Sequence, residues 1–423
     1  MVRLRRLVIH KYRIVKPGTE LSFHDGYNVL LGKNGTGKTT LLNLIAMCLS
    51  SSFAGLEDEE FKLEYELELP MGRLHVAVSH LRNRPPAERK PLIDRGYDVE
   101  IELQFAAKDP GQRSFKFLLK DGRIAIDSDN VNIGNVVINI FKQPGFFIEI
   151  IGTVMLKYRK FLRESGIAFI EIIAEMSDHA SRFDEGTEWL KETLANASIL
   201  VRHGNPNVFA ATDGDRMPSE VMEFVRERKL GQISDLSVNR IDFYPEDLEF
   251  IKQTVAALHY KSATLSLDLQ SHEDLGEGRE SRFGGLKFGF TKRSGQYLQI
   301  DRLSFGEKRL VGFFYYLALS PSVLIADELA NGLHHEMIGR CLEAAGDRQK
   351  FLATQNPLLL DHVPLQSPEE VRRTFVRCQL QSDGTREHMV WSALSEEEAA
   401  EFYKDYEVGI QHTNDILRLR GLW

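Results

Sequence analysis

Cysteine is scarce in this sequence. The 423 residues include only three cysteines, Cys48, Cys341 and Cys378, and they are far apart. An odd number of widely separated cysteines provides neither a disulfide framework nor the paired spacing of a zinc site. Free thiols are typical of a reducing compartment, so we expect a cytoplasmic protein.

Long apolar runs and an excess of basic residues are also missing. No stretch approaches the roughly 18 apolar residues of a membrane-spanning helix. The opening "MVRLRRLVIHKYR" has only a short apolar run after its basic residues, so we expect neither a signal peptide nor contact with a membrane. The formal net charge is −8, which argues mildly against a constitutive nucleic-acid binder, although a local basic patch is compatible with it.

The pattern along the chain predicts several domains. Residues 1–50 have a strand, strand, loop, helix pattern. Helices and strands also alternate later in the chain, as in a parallel sheet, over the segments "SFGEKRLVGFFYYLALS", "SVLIADE", "HHEMIGRCLEAAG" and "KFLAT". "KLEYELELP" and the hairpin "RSFKFLLKDGRIAI" indicate antiparallel strands. Residues 153–265 have helical spacing, and "HEDLGEGRESR" predicts a flexible loop. We expect an N-terminal lobe with an antiparallel β region (1–150), a helical insert (151–265) and a C-terminal lobe (266–423).

The segment "GKNGTGKT" matches the phosphate-binding pattern G-x-x-x-x-G-K-[ST]. It follows the apolar strand "NVLL" and opens a helix, the context that the motif requires, which disfavours a chance glycine-rich turn. In this motif backbone N–H groups surround the phosphates, the lysine reaches the β- and γ-phosphates, and the hydroxyl binds Mg²⁺. The predicted nucleotide-binding residues are Gly32, Lys33, Asn34, Gly35, Thr36, Gly37, Lys38, Thr39 and Thr40, with Thr39 also a metal ligand.

The apolar run "SVLIADE" ends in two carboxylates, Asp327 and Glu328. Such a run is costly to bury unless the carboxylates meet a cation or water. In a P-loop fold a second strand brings an acid to Mg²⁺, so we predict that Asp327 binds the metal and Glu328 polarises the attacking water. The alternative is a strand that continues into an ordinary acidic loop.

The segment "LSFGEKR" predicts the start of a helix. Ser304 precedes the helical pattern and Glu307 follows three residues later, which is a capping-box spacing. The same geometry, a hydroxyl and a glycine N–H at a helix N-terminus, can also bind an anion. Ser304 and Gly306 are therefore candidates for phosphate binding as well as for capping.

These motifs together resemble the ABC-type ATPases of the RecF, OLD and SMC-like group. "LSFGEKR" followed by "LIADELANGL" is similar to their signature motif and Walker B segment, and Tyr12-Arg13 to the aromatic–arginine pair near their start. "NGLHH" is similar to the D-loop of OLD-like ATPases, and "LATQNPLLLD" to the switch strand. The resemblance is nearest to stand-alone OLD-like ATPases of bacterial anti-phage systems such as Septu, retron-associated and PARIS systems. It implies an α/β P-loop NTPase, an ABC-ATPase head with an antiparallel β lobe and an inserted helical subdomain.

The resemblance also implies a mechanism. Two copies of such an ATPase enclose ATP and Mg²⁺ between the P-loop of one copy and the signature motif of the other, and hydrolysis releases the dimer. A monomer would then be a poor ATPase. Carried over to this sequence, the additional ATP-binding residues are Arg13, Ser304, Gly306, Glu307, Asn331 and His334, and the catalytic residues are Lys38, Glu328 and Gln355.

Two features depart from the family pattern. The switch position, usually histidine, is Gln355, which can hydrogen-bond a phosphate or orient water but cannot carry a positive charge. Slow hydrolysis is therefore expected. The Q-loop residue, a further metal ligand, is predicted to be Gln143 before a Pro-Gly pair, with Gln104 on an alternating strand as the other candidate. A metal site at the adjacent His334 and His335 is not expected, because neighbouring residues of a helix cannot point to one ion. For His334, the resemblance implies an interface contact instead.

Three functions are compatible with these motifs. The first is a sensor or scaffold ATPase of anti-phage defence that controls a separate effector protein, because the short stretch after the switch strand leaves little room for a fused nuclease. The second is a RecF-like DNA-repair ATPase with a basic groove for DNA. The third is a module that binds ATP without turnover, as Gln355 would permit. We expect the first.

Overall fold

The structure, a computed structural model, describes residues 1–70, 72–82, 97–108, 115–120, 123–126, 182–183, 188–204, 208–214, 217–229, 238–274, 278–407 and 413–421. The chain forms two structural units. The first unit comprises Met1–Arg182, Ser322–Glu328 and Asp347–Trp423, and the second comprises Phe183–Pro321 and Leu329–Gly346. Each unit is thus assembled from separate segments of the chain. The division of the sequence at residues 150 and 265 stays a prediction.

The secondary structure is mixed. The strands are β1 (Arg3–Tyr12), β2 (Thr19–Ser22), β3 (Tyr27–Leu31), β4 (Phe61–Leu69), β5 (Gly72–Arg82), β6 (Tyr97–Ala107), β7 (Phe115–Lys120), β8 (Arg123–Ile126), β9 (Ala197–Gly204), β10 (Val208–Gly214), β11 (Arg240–Phe243), β12 (Ser262–Asp274), β13 (Gly278–Thr291), β14 (Tyr297–Gln299), β15 (Val323–Asp327), β16 (Gln349–Ala353), β17 (Phe375–Ser382) and β18 (Glu387–Ala393). The helices are α1 (Lys38–Ser50), α2 (Glu188–Asn196), α3 (Ser219–Phe224), α4 (Glu249–Leu258), α5 (Phe305–Leu319), α6 (His335–Ala345), α7 (Pro357–Leu360), α8 (Pro368–Thr374), α9 (Glu396–Glu407) and α10 (Thr413–Leu419). A π-helical turn (Val225–Lys229) and a 3-10 turn (Ile300–Arg302) complete the described elements.

The parallel sheet of the first unit has the order β15-β16-β3-β17-β18. Its first four strands are parallel and β18 is antiparallel to β17. Every residue of β15 and β16 is buried, as expected for strands covered on both faces. This confirms the predicted parallel sheet. The carboxyl ends of β3, β15 and β16 meet at one edge, because Asp327 is in register with Ala353 and Ala353 with Leu30.

The antiparallel sheet of the first unit has the order β2-β1-β4-β5-β6-β7-β8. The alternation predicted for "KLEYELELP" is confirmed, since Leu63, Tyr65, Leu67 and Leu69 are buried in β4. The β7–β8 pairing confirms the predicted hairpin, whose turn residues lie outside the described residues. Apolar residues of this sheet pack in one core with α1. The core therefore supports the helix that follows the phosphate loop.

The second unit corrects two expectations. Of the range 153–265 predicted to be helical, residues 153–181 lie outside the described residues. The helical spacing holds for α2, α3 and α4, but the described part of the range also contains β9, β10, β11 and the start of β12. In β9, Ala197, Ile199 and Val201 are buried at a spacing of two residues, which is the period of a strand. "HEDLGEGRESR", expected to be a loop, instead lies in the β12–β13 hairpin where it is described, because backbone pairing does not require apolar side chains. The segment "GLKFGFTKRSGQYLQI" forms a hairpin of β13 and β14.

The sheet of the second unit has the order β10-β9-β13-β12-β11, with β14 paired to β13. Helices α4 and α5 pack together beside it, with an edge-to-face contact between Phe250 and Tyr315. Within the described part of the chain, none of the helices combines the length and the apolar character that a membrane crossing needs.

Candidate functional site

The phosphate loop connects β3 to α1, as predicted, and its glycines meet a steric demand. Gly32 has φ +150° and Gly37 has φ +86°, values that favour glycine. A Cβ at Gly32 would collide with the carbonyl oxygen of Cys378, and one at Gly37 would lie 2.5 Å from Met389 Sδ. The loop is therefore packed closely against β17 and β18, and larger residues do not fit at these two positions.

The phosphate loop is built to receive an anion. Gly37 is the N-cap of α1 and has no side chain to cap the helix, so backbone N–H groups are directed to the loop. Lys38 is buried, and its Nζ donates to the carbonyl oxygens of Gly32 (2.6 Å) and Lys33 (3.2 Å). Its ammonium group thus lies within the loop. Of the other predicted loop residues, Lys33, Asn34, Gly35 and Thr39 are exposed, Thr36 is buried and Thr40 is half-buried.

Thr39 and Asp327 come together as predicted. The Thr39 hydroxyl donates to Asp327 Oδ2 at 2.6 Å, although 288 positions separate the two residues. A carboxylate and a hydroxyl oxygen in contact are oxygen donors of the kind that Mg²⁺ prefers. The predicted metal ligands Thr39 and Asp327 therefore fit the metal, and Lys38 in the same loop fits the phosphates that accompany it.

Glu328, the predicted base, is held in an unusual backbone conformation. Its φ is +52°, rare for a residue with a side chain. Its N–H donates to the carbonyl of Ala353 (2.8 Å), and its Oε2 accepts from the backbone N–H of Gln355 (3.0 Å). Strained residues cluster at functional sites. The end of β16 thus fixes the direction of the Glu328 carboxylate, while Gln355 itself is exposed.

Arg182 is a member of this site that the sequence did not reveal. Its Nη1 donates to Asp327 Oδ2 at 3.0 Å, and both side chains are largely buried, with 17% and 12% exposure. The separation of 145 positions and the absence of a motif around Arg182 explain why it was missed. The same carboxylate oxygen therefore accepts hydrogen bonds from a hydroxyl and from a guanidinium.

Trp391 supports the phosphate loop from β18. Its indole N–H donates to the carbonyl oxygen of Thr36 at 3.1 Å, and the side chain is 2% exposed. The Thr36 hydroxyl donates to the backbone carbonyl oxygen of Lys33 at 2.8 Å, so both the hydroxyl and the carbonyl of Thr36 are hydrogen-bonded. The tryptophan lies against the buried side of the loop and stabilises its backbone.

Arg13 is engaged by a carboxylate. Its guanidinium donates to both oxygens of Glu59, at 2.7 and 2.6 Å, and lies 5.2 Å from the centre of the Tyr12 ring. Its φ is +46°, so the aromatic–arginine pair occupies a tight turn after β1. The predicted contact of Arg13 with ATP stays a prediction.

The signature segment in the second unit forms the predicted capping box. Ser304 Oγ accepts from the Glu307 N–H, and Glu307 Oε2 accepts from the Ser304 N–H at 2.7 Å. Tyr260 donates its hydroxyl to Glu307 Oε1 at 2.6 Å. Partial burial raises the pKa of Glu307, but the hydrogen bonds from Tyr260 and Ser304 outweigh this and shift it downward. The carboxylate is therefore ionised and fixed.

The D-loop packs directly against the signature segment within the second unit. A Cβ at Gly306 would lie 2.7 Å from the carbonyl oxygen of Gly332, so the two backbones touch. Phe305 is 54% exposed at the start of α5. Asn331 is half-buried in the D-loop, and His334 is the exposed N-cap residue of α6. Both motifs thus form one local surface.

The Q-loop remains a prediction. Gln143 lies outside the described residues. Gln104 is exposed in β6, and its amide donates to Glu102 at 2.6 Å, which agrees with a solvent-facing strand residue.

The fold and these residues define a class, the P-loop ATPases of the ABC type. A family model described as "AAA domain" matches residues 6–249, more than half of the chain. The chain therefore belongs to this AAA-domain family. A second AAA-domain model, whose description names an AbiEii toxin and a type IV TA system, matches residues 187–361.

Relatives match short parts of the chain. The Smc-like protein Sph2 of Halobacterium salinarum is 28% identical over 105 residues, which cover 25% of this chain and 15% of the relative. The DNA replication and repair protein RecF of Chloroherpeton thalassium is 43% identical over 60 residues, which cover 14% of this chain and 16% of RecF. The matches thus span less than a fifth of either relative's length.

Solved structures with a similar chain path include SMC head domains. The SMC head domain from Thermotoga maritima has a TM-score of 0.37 and 14% identity, and covers 93% of this chain and 99% of that one. An Smc head domain bound to the C-terminal domain of ScpA, from Pyrococcus furiosus, has a TM-score of 0.38 and 13% identity, over 96% and 100% of the two chains.

Proposed function

We propose that the chain binds ATP with Mg²⁺ and hydrolyses it to ADP and phosphate. The observation that carries this proposal is the hydrogen bond of 2.6 Å between Thr39 and Asp327, which joins the phosphate loop to the acidic strand. Lys38 and the first N–H groups of α1 would hold the phosphates, and Thr39 and Asp327 would hold Mg²⁺. When bound, the metal neutralises charge on the phosphate oxygens.

Glu328 is the residue suited to act on water. Its carboxylate oxygen accepts from the Gln355 N–H at 3.0 Å, which supports a fixed direction for a general base. Gln355 then orients the same water or a phosphate oxygen through its exposed amide. Because a neutral amide does not supply a positive charge to the phosphates, turnover would be slow.

We further propose that two copies of the chain close around ATP. In the second unit, the N-terminus of α5 presents Ser304, the Gly306 backbone and an exposed Phe305. A helix N-terminus with a hydroxyl favours an anion, and in the family pattern this surface meets the ATP of the other copy. Asn331 and His334 would lie at the contact between the copies.

Protein concentration tests the shared site. If two copies make one complete site, ATP turnover per molecule rises with protein concentration until the dimer saturates, and a mixture of Glu328→Gln and Gly306→Ala variants restores part of the activity. Turnover per molecule that is constant from nanomolar to micromolar protein, at the full rate, would contradict a shared site. A phosphate-release assay measures the concentration dependence of turnover and the activity of the mixed variants.

The biological role that we propose is a sensor or scaffold that holds a separate effector protein in anti-phage defence. The match of residues 187–361 to a model described with a type IV TA system supports a partner protein. Purification from the native operon at near-physiological salt tests this. A stoichiometric protein partner would support it, and recovery of DNA alone, with binding that weakens steeply with salt, would contradict it.

A RecF-like role on DNA is the second candidate. The 43% identity with RecF over 60 residues favours it, whereas the net charge of −8 does not. Fluorescence anisotropy with gapped and duplex DNA, over a range of salt concentrations and with ATP, separates the two roles. Tight ATP-dependent binding to DNA without a protein partner would favour the RecF-like role.

A further inference from the structure

Asp327 has two donors on one oxygen. Oδ2 accepts from Thr39 Oγ1 at 2.6 Å and from Arg182 Nη1 at 3.0 Å. The Asp327 side chain is 12% exposed and that of Arg182 is 17% exposed. An ion pair with so little access to water is screened weakly. Arg182 therefore neutralises the carboxylate on which the proposed metal site depends.

A metal ion and a guanidinium are both positive and would compete for this carboxylate. If Mg²⁺ uses the oxygens of Thr39 and Asp327, a positive guanidinium on the same oxygen raises the cost of metal binding, because like charges close together repel. Without the metal, the guanidinium has the reverse effect. It cancels a negative charge that would otherwise repel the phosphates of a nucleotide.

We propose that Arg182 is a positioning residue of the nucleotide site that competes with Mg²⁺ for the Asp327 carboxylate. When the metal is bound, Arg182 leaves Oδ2, so the metal ion and the guanidinium occupy the Asp327 carboxylate in turn. This inference rests on the proposed function, since it requires a nucleotide at the phosphate loop.

The test is the affinity for a fluorescent, non-hydrolysable ATP analogue, measured with excess Mg²⁺ and with EDTA. In Arg182→Gln the affinity in EDTA falls, because the Asp327 charge is no longer neutralised, while the affinity in Mg²⁺ is unchanged or higher. The ratio of the two affinities rises by about tenfold, equivalent to about 1.4 kcal/mol. Arg182→Lys keeps the charge and holds the ratio close to that of the wild type.

A matched control comes from another arginine of the first unit. Arg420 donates to Asp405 at 2.6 Å and is 23% exposed, which is similar to Arg182. Arg420→Gln removes an ion pair that does not involve Asp327, with the more exposed carboxylates of Asp405 and Glu401. The ratio of its two affinities equals that of the wild type. Circular dichroism and thermal unfolding of each variant establish that the comparison is made on folded protein.

The outcomes separate the inference from the function. If Arg182→Gln lowers both affinities by the same factor, or leaves the ratio unchanged, Arg182 is only structural and the inference is wrong, although nucleotide binding stands. If wild-type protein does not bind the analogue in either buffer, the proposed function itself is wrong, and the inference with it.

Discussion

The contact between Trp391 and the phosphate loop leads to a prediction that no sequence motif suggests. The Trp391 N–H donates to the Thr36 carbonyl at 3.1 Å, inside the first unit. Trp391→Phe keeps an aromatic ring against Met389 and Gly37 but removes the donor. The carbonyl then remains next to an apolar ring without this partner, in a loop whose shape binds the phosphates.

The magnitude follows from the burial of this pair. Trp391 is 2% exposed and Thr36 is 7% exposed, so water does not easily replace the indole N–H. A buried acceptor that loses its donor costs about 1–3 kcal/mol. If about 1.4 kcal/mol of this cost falls on the binding conformation of the loop, the affinity for ATP weakens by about tenfold. The free energy of unfolding falls by a similar amount.

Titration with a fluorescent ATP analogue measures the affinity, and denaturant unfolding measures the stability. Trp189→Phe is the control, because Trp189 belongs to the second unit, where its ring lies edge-to-face on Phe183. The affinity of the Trp189→Phe variant for ATP should equal that of the wild type. Unchanged affinity in Trp391→Phe would refute the reasoning, because the hydrogen bond would then have no part in shaping the loop.

Three further predictions concern the other motifs. Thr39→Val removes the hydroxyl that contacts Asp327. We expect binding of the ATP analogue to lose its dependence on Mg²⁺, while binding in EDTA is retained. If titration shows that Mg²⁺ still strengthens binding as in the wild type, Thr39 is not a metal ligand. Gly306→Ala adds a Cβ 2.7 Å from the Gly332 carbonyl oxygen. The variant should not form the ATP-dependent dimer in light scattering, although its monomer should bind ATP as tightly as the wild type. A dimer of normal stability would be inconsistent with the proposed contact of the signature segment with ATP. Gln355→His supplies a group that can be cationic and should raise the turnover number severalfold in a phosphate-release assay, and equal turnover would argue against slow hydrolysis caused by Gln355.

Local patterns predicted much of the fold. The period of two in "KLEYELELP" and the strand–loop–helix context of the phosphate motif depend on neighbouring residues, and the structure confirms both. Parallel strands bring their carboxyl ends to one edge, so the meeting of Thr39 and Asp327 could also be anticipated. Capping of α5 by Ser304 and Glu307 follows from their spacing alone.

The errors arose where long-range pairing decides the structure. "ASIL" follows a good helical pattern, yet pairing of β9 with β10 and β13 makes it a strand. "HEDLGEGRESR" is polar, and its place in a hairpin depends on backbone hydrogen bonds to its own partner strand. Arg182 and Trp391 reach the site from 145 and 355 positions away from Asp327 and Thr36, and no spacing rule connects such residues.

The central claim is that ATP closes two copies of the chain and that Glu328 supports its hydrolysis. Light scattering of Glu328→Gln with ATP and Mg²⁺, alongside phosphate release, tests it most directly. The account predicts a stable dimer with ATP, a monomer with ADP, and turnover reduced by at least about a hundredfold, as for the loss of a general base. A monomer in ATP that still hydrolyses ATP at the wild-type rate would contradict it.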